Sequence, residues 1–157
     1  MDKPARYGLA TAEEVEGLSG IEVLRAMIAG DLPGPPMAQV MGFTLTEVEP
    51  GRVVFTGTPG PHLYNPLGSV HGGYALTLID SAAGCALHTM LAAGIGYTSI
   101  ETKANFTRPV PPSGTVACEG RLVSHGRQIA TAEAYLRDEK GKLLAHGTST
   151  LIILRPR

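Results

Sequence analysis

The sequence predicts an α+β domain in which an antiparallel sheet of five to six strands curls around one long central helix. Residues 72–93 form a long apolar stretch whose only charged residue is Asp80, and strand-like runs lie on both sides of it. A second helix of similar length, which a parallel sheet would need to cover its other face, is not apparent. With 157 residues, 43% of them hydrophobic, the chain is large enough to bury the core of a single domain.

The first part of the chain is predicted to form a helical arm. Ser19 and Glu22 have the spacing of a capping box ahead of an apolar run, which predicts a helix over residues 20–29. Several prolines follow and end this helix. We therefore separate an N-terminal helical arm, residues 1–34, from a main domain, residues 35–157. The N-terminus lacks the basic start and apolar run of a secretory signal, so a cytoplasmic location is expected.

A short helical turn is expected at residues 37–41, and six strand-like runs follow from the turn signals. In the fifth run, residues 130, 132, 134 and 136 are Ala or Leu and share one face, while polar residues alternate with them. This alternation is typical of a half-buried antiparallel strand. The runs span residues 43–48, 52–58, 97–108, 115–125, 128–137 and 142–154.

The central segment, residues 72–93, has apolar side chains all around a helical projection, which predicts a helix surrounded by protein. Asp80 lies in its middle, and an ionised carboxylate there is costly unless hydrogen bonds or water hold it. Such carboxylates are enriched at functional sites. The segment has the length of a membrane span, but Asp80 and the lack of flanking Lys or Arg argue against one.

A His71-Gly72-Gly73 turn opens this helix. The first N–H groups of a helix lack intrahelical acceptors, and a ligand oxygen can approach closely where no Cβ is present. These donors suit an oxyanion that develops during a reaction, and the helix dipole adds to them. Two glycines also make a tight strand-to-helix turn, but Asp80 and Asn65 nearby favour the functional interpretation.

The pattern Asn65-x-x-Gly-x-x-His71-Gly72-Gly73, with an acid nine residues after the histidine, resembles the hotdog-fold acyl-CoA thioesterases, in particular the phenylacetate-degradation type. The resemblance covers residues 36–154 and includes Arg108-Pro-Val and a Gly126-Arg127 turn. It implies a hotdog fold and hydrolysis of acyl-CoA to free acid and coenzyme A. It also implies homodimers that often pair into homotetramers.

The resemblance also implies roles for single residues. Asp80 would be the catalytic carboxylate, either a general base that activates water or a nucleophile that forms a transient anhydride. Asn65 would orient the water or the thioester, although Asn-Pro is also a good turn. His71 would shape the turn or polarise the carbonyl, although a lone histidine is more often structural. A strand hydroxyl would support the acid: Ser99 aligns best and Thr98 is the alternative, because the two face opposite sides of a strand.

Coenzyme A carries a 3′-phosphate, so basic groups and backbone donors near the mouth of the site are candidates for binding it. Each candidate is equally compatible with a solvated charge at the rim. Coenzyme A enters as part of the substrate, and we expect neither a separate cofactor nor a metal. A net charge of −1 gives no sign of a nucleic-acid partner. The candidates for coenzyme A binding are Arg108, Arg121, His125, Gly126 and Arg127.

Three histidines and both cysteines are expected to be structural. The histidines have no metal-ligand spacing, and the cysteines have the character of small buried hydrophobes. These residues are His62, His88, His146, Cys85 and Cys118.

The spacing of Gly72 and Asp80 has a geometric consequence. Eight residues of one helix separate them by about 12 Å along its axis, at a rise of 1.5 Å per residue. One acyl carbon cannot contact both groups. If both act on the same thioester, the acid comes from a second subunit, and a two-fold dimer is the simplest arrangement.

Two other classes of function remain open at this point. A hotdog hydratase or dehydratase would also bind acyl-CoA, but its usual motifs are not evident. A non-catalytic acyl-CoA sensor would keep the pocket without the chemistry, but residues 1–34 are too short and too weakly basic to resemble a DNA-binding unit. The absence of Trp and the aromatic content of 5% do not decide between aryl and medium-chain aliphatic thioesters.

Overall fold

The structure is a computed structural model and describes residues 6–155. Its element order confirms two strands, a long helix and four further strands. The helices are Ala12–Val15 (α1), Gly20–Ile28 (α2), Pro36–Met41 (α3) and Gly72–His88 (α4), with a short 3-10 turn at Pro61–Leu63. The strands are Phe43–Glu49 (β1), Arg52–Gly57 (β2), Gly96–Phe106 (β3), Val116–His125 (β4), Ile129–Asp138 (β5) and Leu143–Leu154 (β6).

All six strands form one antiparallel sheet in the order β1-β2-β4-β5-β6-β3, so β1 and β3 are its edges. The helix α4 contacts β2, β3, β4, β5 and β6, which confirms a sheet curled around a central helix. In β5 the residues from Ala130 to Leu136 alternate between buried and more exposed positions, as the sequence predicts.

The side of α4 that faces the sheet is packed very closely. Leu78, Ile79 and Ala82 have no exposed surface. A Cβ atom at Gly120 of β4 would overlap the backbone carbonyl of Ala82, and one at Gly147 of β6 would overlap that of Lys103. Glycine is therefore required at both positions, because the helix and the neighbouring strand approach too closely for any side chain.

The prediction that α4 continues to about residue 93 is wrong, and within a single subunit the helix is not surrounded by protein on all sides. The helix ends at His88, and Leu76 on its other side is 37% exposed. Just beyond the helix, the Thr89 hydroxyl donates to the Ala86 carbonyl and accepts the N–H of Gly51, both at 2.7 Å. The end of α4 is thus tied to the β1–β2 turn, a tertiary contact with no local sequence signal.

The N-terminal arm packs beside the open side of α4. Helix α2 contacts both β1 and α4, and its capping box forms as predicted, with the Ser19 N–H donating to Glu22 at 2.8 Å. The segment before α1 pairs with the segment after α2: the Gly34 N–H donates to the Arg6 carbonyl at 2.8 Å. Helix α1 was not predicted, and residues 1–5 of the predicted arm lie outside the described residues.

Candidate active site

Asp80 lies near the middle of α4, half-buried on the open side of the helix. Its Oδ1 accepts hydrogen bonds from the Ser99 hydroxyl at 2.8 Å and the Thr102 hydroxyl at 2.7 Å. Among the described residues no group donates to Oδ2. The two hydroxyls therefore fix the orientation of the carboxylate while one oxygen stays free to bind water or to attack.

Thr102 is a contact that sequence reasoning missed. Residues three apart on a regular strand face opposite sides, so Ser99 and Thr102 were not expected to meet the same carboxylate. Strand β3 has a bulge between Ser99 and Glu101, and the extra residue, Ile100, brings both hydroxyls to the same side. The alternative residue, Thr98, is exposed and makes no hydrogen bond to Asp80.

A third hydroxyl, that of Ser149, contacts the Thr102 hydroxyl on β6's side. The Ser149 Oγ lies 3.0 Å from the Thr102 Oγ1 and 3.0 Å from the Glu101 carbonyl. A hydroxyl has one proton, and that of Thr102 goes to Asp80. The single proton of Ser149 is donated to the Glu101 carbonyl and can be shared with the Thr102 oxygen in a three-centre bond. Because Ser149 is only 1% exposed, this chain of hydroxyls is shielded from water.

The turn at the start of α4 is held by His71, which is the N-cap residue. Its Nδ1 accepts the N–H of Gly73 at 2.8 Å. The expectation that both glycine amides are free is therefore wrong for Gly73. The N–H of Gly72 makes no hydrogen bond within residues 6–155 and is the remaining candidate oxyanion donor. The Phe106 ring lies beside it, 3.3 Å from the position of a Cβ at Gly72.

The Asn65 side chain stabilises its own loop. Its Oδ1 accepts the N–H groups of Leu67 and Ser69, at 2.9 and 3.2 Å, and its Nδ2 donates to the Ser69 hydroxyl at 3.0 Å. This is the geometry of an Asx turn. The contacts favour the turn interpretation of Asn65, with one amide proton left for a ligand.

A cavity of about 510 Å³ lies beside Asp80 and Ser99. Its walls come from α4, from β1, β2 and β3, and from the N-terminal arm, and they are mostly apolar. Neither His71 nor Gly72 lines this cavity. Within one subunit, the carboxylate and the helix start therefore face different spaces.

Three polar side chains line the cavity beyond Asp80: Cys85 and His88 farther along α4, and Tyr97 on β3. The Cys85 Sγ lies 3.9 Å from the Tyr97 hydroxyl, and the rings of His88 and Tyr97 are 5.5 Å apart. Burial raises the pKa of Cys85 to about 11, raises that of Tyr97 and lowers that of His88. All three groups are therefore neutral near pH 7, which agrees with the structural roles expected for Cys85 and His88.

The coenzyme A candidates fall into two groups at opposite ends of the sheet. Arg108, which donates to the Leu143 carbonyl at 2.8 Å, follows β3 at the end near Gly72. His125 ends β4, and Gly126 and Arg127 begin the β4–β5 turn, at the end near Ser99. On β6, Ala145 lies beside the first end and Leu151 beside the second. At 3.3 Å per residue, the two ends are about 20 Å apart.

Arg121 lies on β4 between these ends and is already paired. Its Nε donates to Glu119 at 2.6 Å, and the same carboxylate binds Arg52 at 2.6 Å. One subunit therefore does not gather the five candidates around a single phosphate.

In the part of the chain that the structure describes, no helix combines the length and apolar character needed to cross a bilayer. Within residues 6–155, no three His, Cys, Asp or Glu side chains cluster in a way that could hold a metal ion.

Comparison with known proteins supports the fold and places the chain in a family. The model of the thioesterase superfamily matches residues 67–145. The proofreading thioesterase EntH of Klebsiella pneumoniae is 30% identical over 68% of this chain and 77% of its own length. Human acyl-coenzyme A thioesterase 13 is 25% identical over 81% of this chain and 91% of its own length. The match to a putative esterase of Saccharolobus solfataricus covers 57% of that protein's length.

A solved structure of a phenylacetic acid degradation-related protein from Ralstonia eutropha JMP134 has the same fold. It superposes with a TM-score of 0.75 over 83% of this chain and 98% of that one, at 24% identity. The resemblance drawn from the sequence is thereby confirmed. The chain has the hotdog fold and belongs to the thioesterase superfamily.

Proposed function

We propose that this protein hydrolyses acyl-CoA thioesters to a free carboxylic acid and coenzyme A. The observation that carries the proposal is the state of Asp80: one oxygen is held by two hydroxyls and the other is free, on the wall of an apolar cavity. Membership of the thioesterase superfamily supports thioester hydrolysis. The name of the human relative, an acyl-coenzyme A thioesterase, supports acyl-CoA as the substrate class.

In the general-base form of the reaction, the free oxygen of Asp80 accepts a proton from water, and the water oxygen attacks the thioester carbon. The Gly72 N–H stabilises the oxyanion that develops, and the thiolate of coenzyme A leaves with a proton from Asp80. In the nucleophilic form, the same oxygen attacks the carbon and expels the thiolate of coenzyme A, and water then hydrolyses the mixed anhydride to the free acid and the carboxylate of Asp80. Both forms use the Ser99 and Thr102 hydroxyls to orient the carboxylate.

The site is proposed to lie between two subunits. Gly72 and Asp80 are separated by about 12 Å along α4, and the cavity at Asp80 does not reach Gly72. A two-fold dimer that places the helix start of one subunit against Asp80 of the other brings both groups to one thioester. Strand β3 supports this assembly, because it is an edge strand that exposes Ile100 and Phe106 by 57% and 58%.

The same dimer accounts for the two groups of coenzyme A candidates. A two-fold axis places opposite ends of the two subunits side by side, so Arg108 of one subunit approaches the β4–β5 turn of the other. Replacing Arg108 by Ala should raise the KM for acyl-CoA much more than that for the acyl-pantetheine thioester, which lacks the nucleotide. Equal effects on both substrates would assign Arg108 a structural role, since it also holds the Leu143 carbonyl.

A thiol-release assay over aryl-, short-chain and medium-chain acyl-CoAs tests the function. Asp80→Asn should leave the protein folded and lower kcat by a factor on the order of 10² or more, because an amide is neither base nor nucleophile. Glu101→Gln is a matched control. Glu101 is an exposed carboxylate on β3, between the two residues that hold Asp80, and its side chain accepts a hydrogen bond only from Thr150. Turnover near the wild-type rate in Asp80→Asn would contradict the catalytic assignment.

The assay also separates the two alternatives. A hydratase would add water to an enoyl-CoA without releasing thiol. A binding protein would take up acyl-CoA and convert none of it.

A further inference from the structure

The cavity beside Asp80 has a wall outside the segment that matches the superfamily model. The arm between Arg6 and Gly34 supplies more of its lining residues than α4 or any strand does. The matched segment begins at residue 67 and contributes the Asp80 side of the cavity. The arm of this chain therefore builds a large part of the cavity that the matched segment does not supply.

The arm is fixed in place by packing and by hydrogen bonds. Leu24 of α2 is 3% exposed and belongs to the main core. The Gly8 N–H donates to the Gly34 carbonyl at 2.9 Å, so that residues 6–8 pair with the segment after α2. The Arg6 guanidinium donates to Glu14 and to the Asp31 carbonyl, each at 2.9 Å. This wall is thus a packed part of the domain.

The cavity extends along α4 away from the carboxylate. Asp80, Cys85 and His88 all line it, and the first and last are eight residues apart, which corresponds to about 12 Å along the helix. A thioester carbon held at Asp80 can therefore direct its acyl chain along the helix, between α4 and the arm. Cys85 and His88 are neutral in the fold, so this path carries no charge beyond Asp80 on the α4 side.

Met27 on α2 is the arm residue suited to limiting this space. It lines the cavity and is half-buried against the core. Its unbranched, flexible side chain adapts to irregular space, and the position tolerates replacement better than a tightly packed one. Leu24 also lines the cavity, but it is part of the main core and its replacement would disturb the fold.

We propose that the N-terminal arm selects the acyl group and that Met27 sets the size of the largest group accepted. This inference rests on the proposed function only for the identity of the ligand, an acyl group carried by coenzyme A. A larger side chain at residue 27 shortens the space beyond Asp80, and a smaller one lengthens it. Asp80 is held by Ser99 and Thr102 of β3, and neither hydrogen bond involves residue 27.

The test uses S-alkyl thioethers of coenzyme A from S-ethyl to S-dodecyl, which bind without being cleaved, with affinity measured by calorimetry. Met27→Trp should weaken binding of the longest chain that the wild type accepts by a factor on the order of ten or more, as expected when a pocket loses room for a few methylenes. S-ethyl binding should change less than about twofold, and Met27→Ala should favour longer chains. Ile28→Trp is the matched control, because Ile28 is 44% exposed and does not line the cavity.

The inference is overturned if both Met27 variants keep the wild-type ratio of long-chain to short-chain affinity, if Ile28→Trp changes that ratio as much, or if no thioether binds. If Met27→Trp does not fold, Met27→Ala and Met27→Phe decide between the same outcomes. Hydrolysis of the matching thioesters is measured in parallel. Thioether binding with the expected length dependence but without hydrolysis would refute the proposed function and leave this inference standing.

Discussion

The two sides of α4 differ in what they pack against. On the side facing the sheet, Leu78, Ile79 and Ala82 are completely buried by the protein's own strands. On the other side, Asp80 and Ser81 face a cavity and Leu76 is partly exposed. The apolar residues on the two sides of this helix therefore serve different purposes. One side forms the core, and the other is left for a ligand and, as we propose, for a second subunit.

The two sides of α4 also contribute differently to the stability of the fold and to catalysis. Full burial of a Leu or Ile side chain contributes about 1.5–3 kcal/mol each, and the sheet-facing side contains both Leu78 and Ile79. The open side carries the only acid of the helix. Changes on the sheet side should therefore reduce the free energy of unfolding, and changes around Asp80 should reduce activity.

The largest expected effect is on the sheet-facing side. Gly120→Ala should lower the free energy of unfolding by about 3 kcal/mol, since the added methyl group overlaps the Ala82 backbone and α4 must shift. Gly126→Ala is the control, because a Cβ there meets its nearest atom at 3.6 Å. Urea denaturation measures both variants. A loss below about 1 kcal/mol for Gly120→Ala would show that the helix and sheet are less tightly packed than described.

A smaller effect is expected from the hydroxyls that hold Asp80. Ser99→Ala and Thr102→Val should each lower kcat by about tenfold, because a hydrogen bond to a charged group typically contributes 1.5–3 kcal/mol and water replaces part of it. Thr98→Val, on the exposed side of β3, should have little effect. If Thr98→Val is severe and Ser99→Ala is silent, the bulge at Ile100 is misplaced and the strand register is off by one.

The smallest expected effect is the pH dependence contributed by His88 at the far end of the cavity. Burial lowers its pKa below 6.5 in the folded protein, so the unfolded chain takes up its proton first as the pH falls. Stability should therefore decline as the pH falls from about 7 through the ordinary histidine range. His88→Gln should show a smaller difference between the urea midpoints at neutral and mildly acidic pH. An unchanged difference would assign the decline to other groups.

Much of the fold follows from local patterns in the sequence. The alternation from Ala130 to Leu136, the capping box of Ser19 and Glu22, and the apolar run after Gly72 each predict an element that the structure contains. These features depend on residues close together in the chain. The pairing of Asp80 with the strand hydroxyl of Ser99 joins two separate elements and was implied by the family resemblance; the structure contains that hydrogen bond.

The remaining features depend on contacts between distant residues. Thr102 reaches Asp80 only because of a β-bulge, and nothing at Ile100 marks one. Whether the Gly73 amide is free depends on how the His71 ring turns, and whether the arm closes the cavity depends on the packing of α2. The end of α4 at His88 depends in turn on the β1–β2 turn reaching Thr89.

The central claim is that each active site combines the Gly72 turn of one subunit with Asp80 of the other, and subunit mixing tests it most directly. Asp80→Asn subunits and Gly72→Val subunits should each be inactive alone. Gly72→Val should fold, because its side chain meets the half-exposed Phe106 ring, which can move. In a mixed dimer, one site carries both changes and the other carries neither.

Random pairing makes about half of the dimers mixed, each with one intact site of two, so co-expression should restore about a quarter of the wild-type activity. Mixed dimers are verified by purification with two different tags. Mixed dimers that are present and still inactive would contradict the shared site and show that Gly72 and Asp80 do not act on the same thioester.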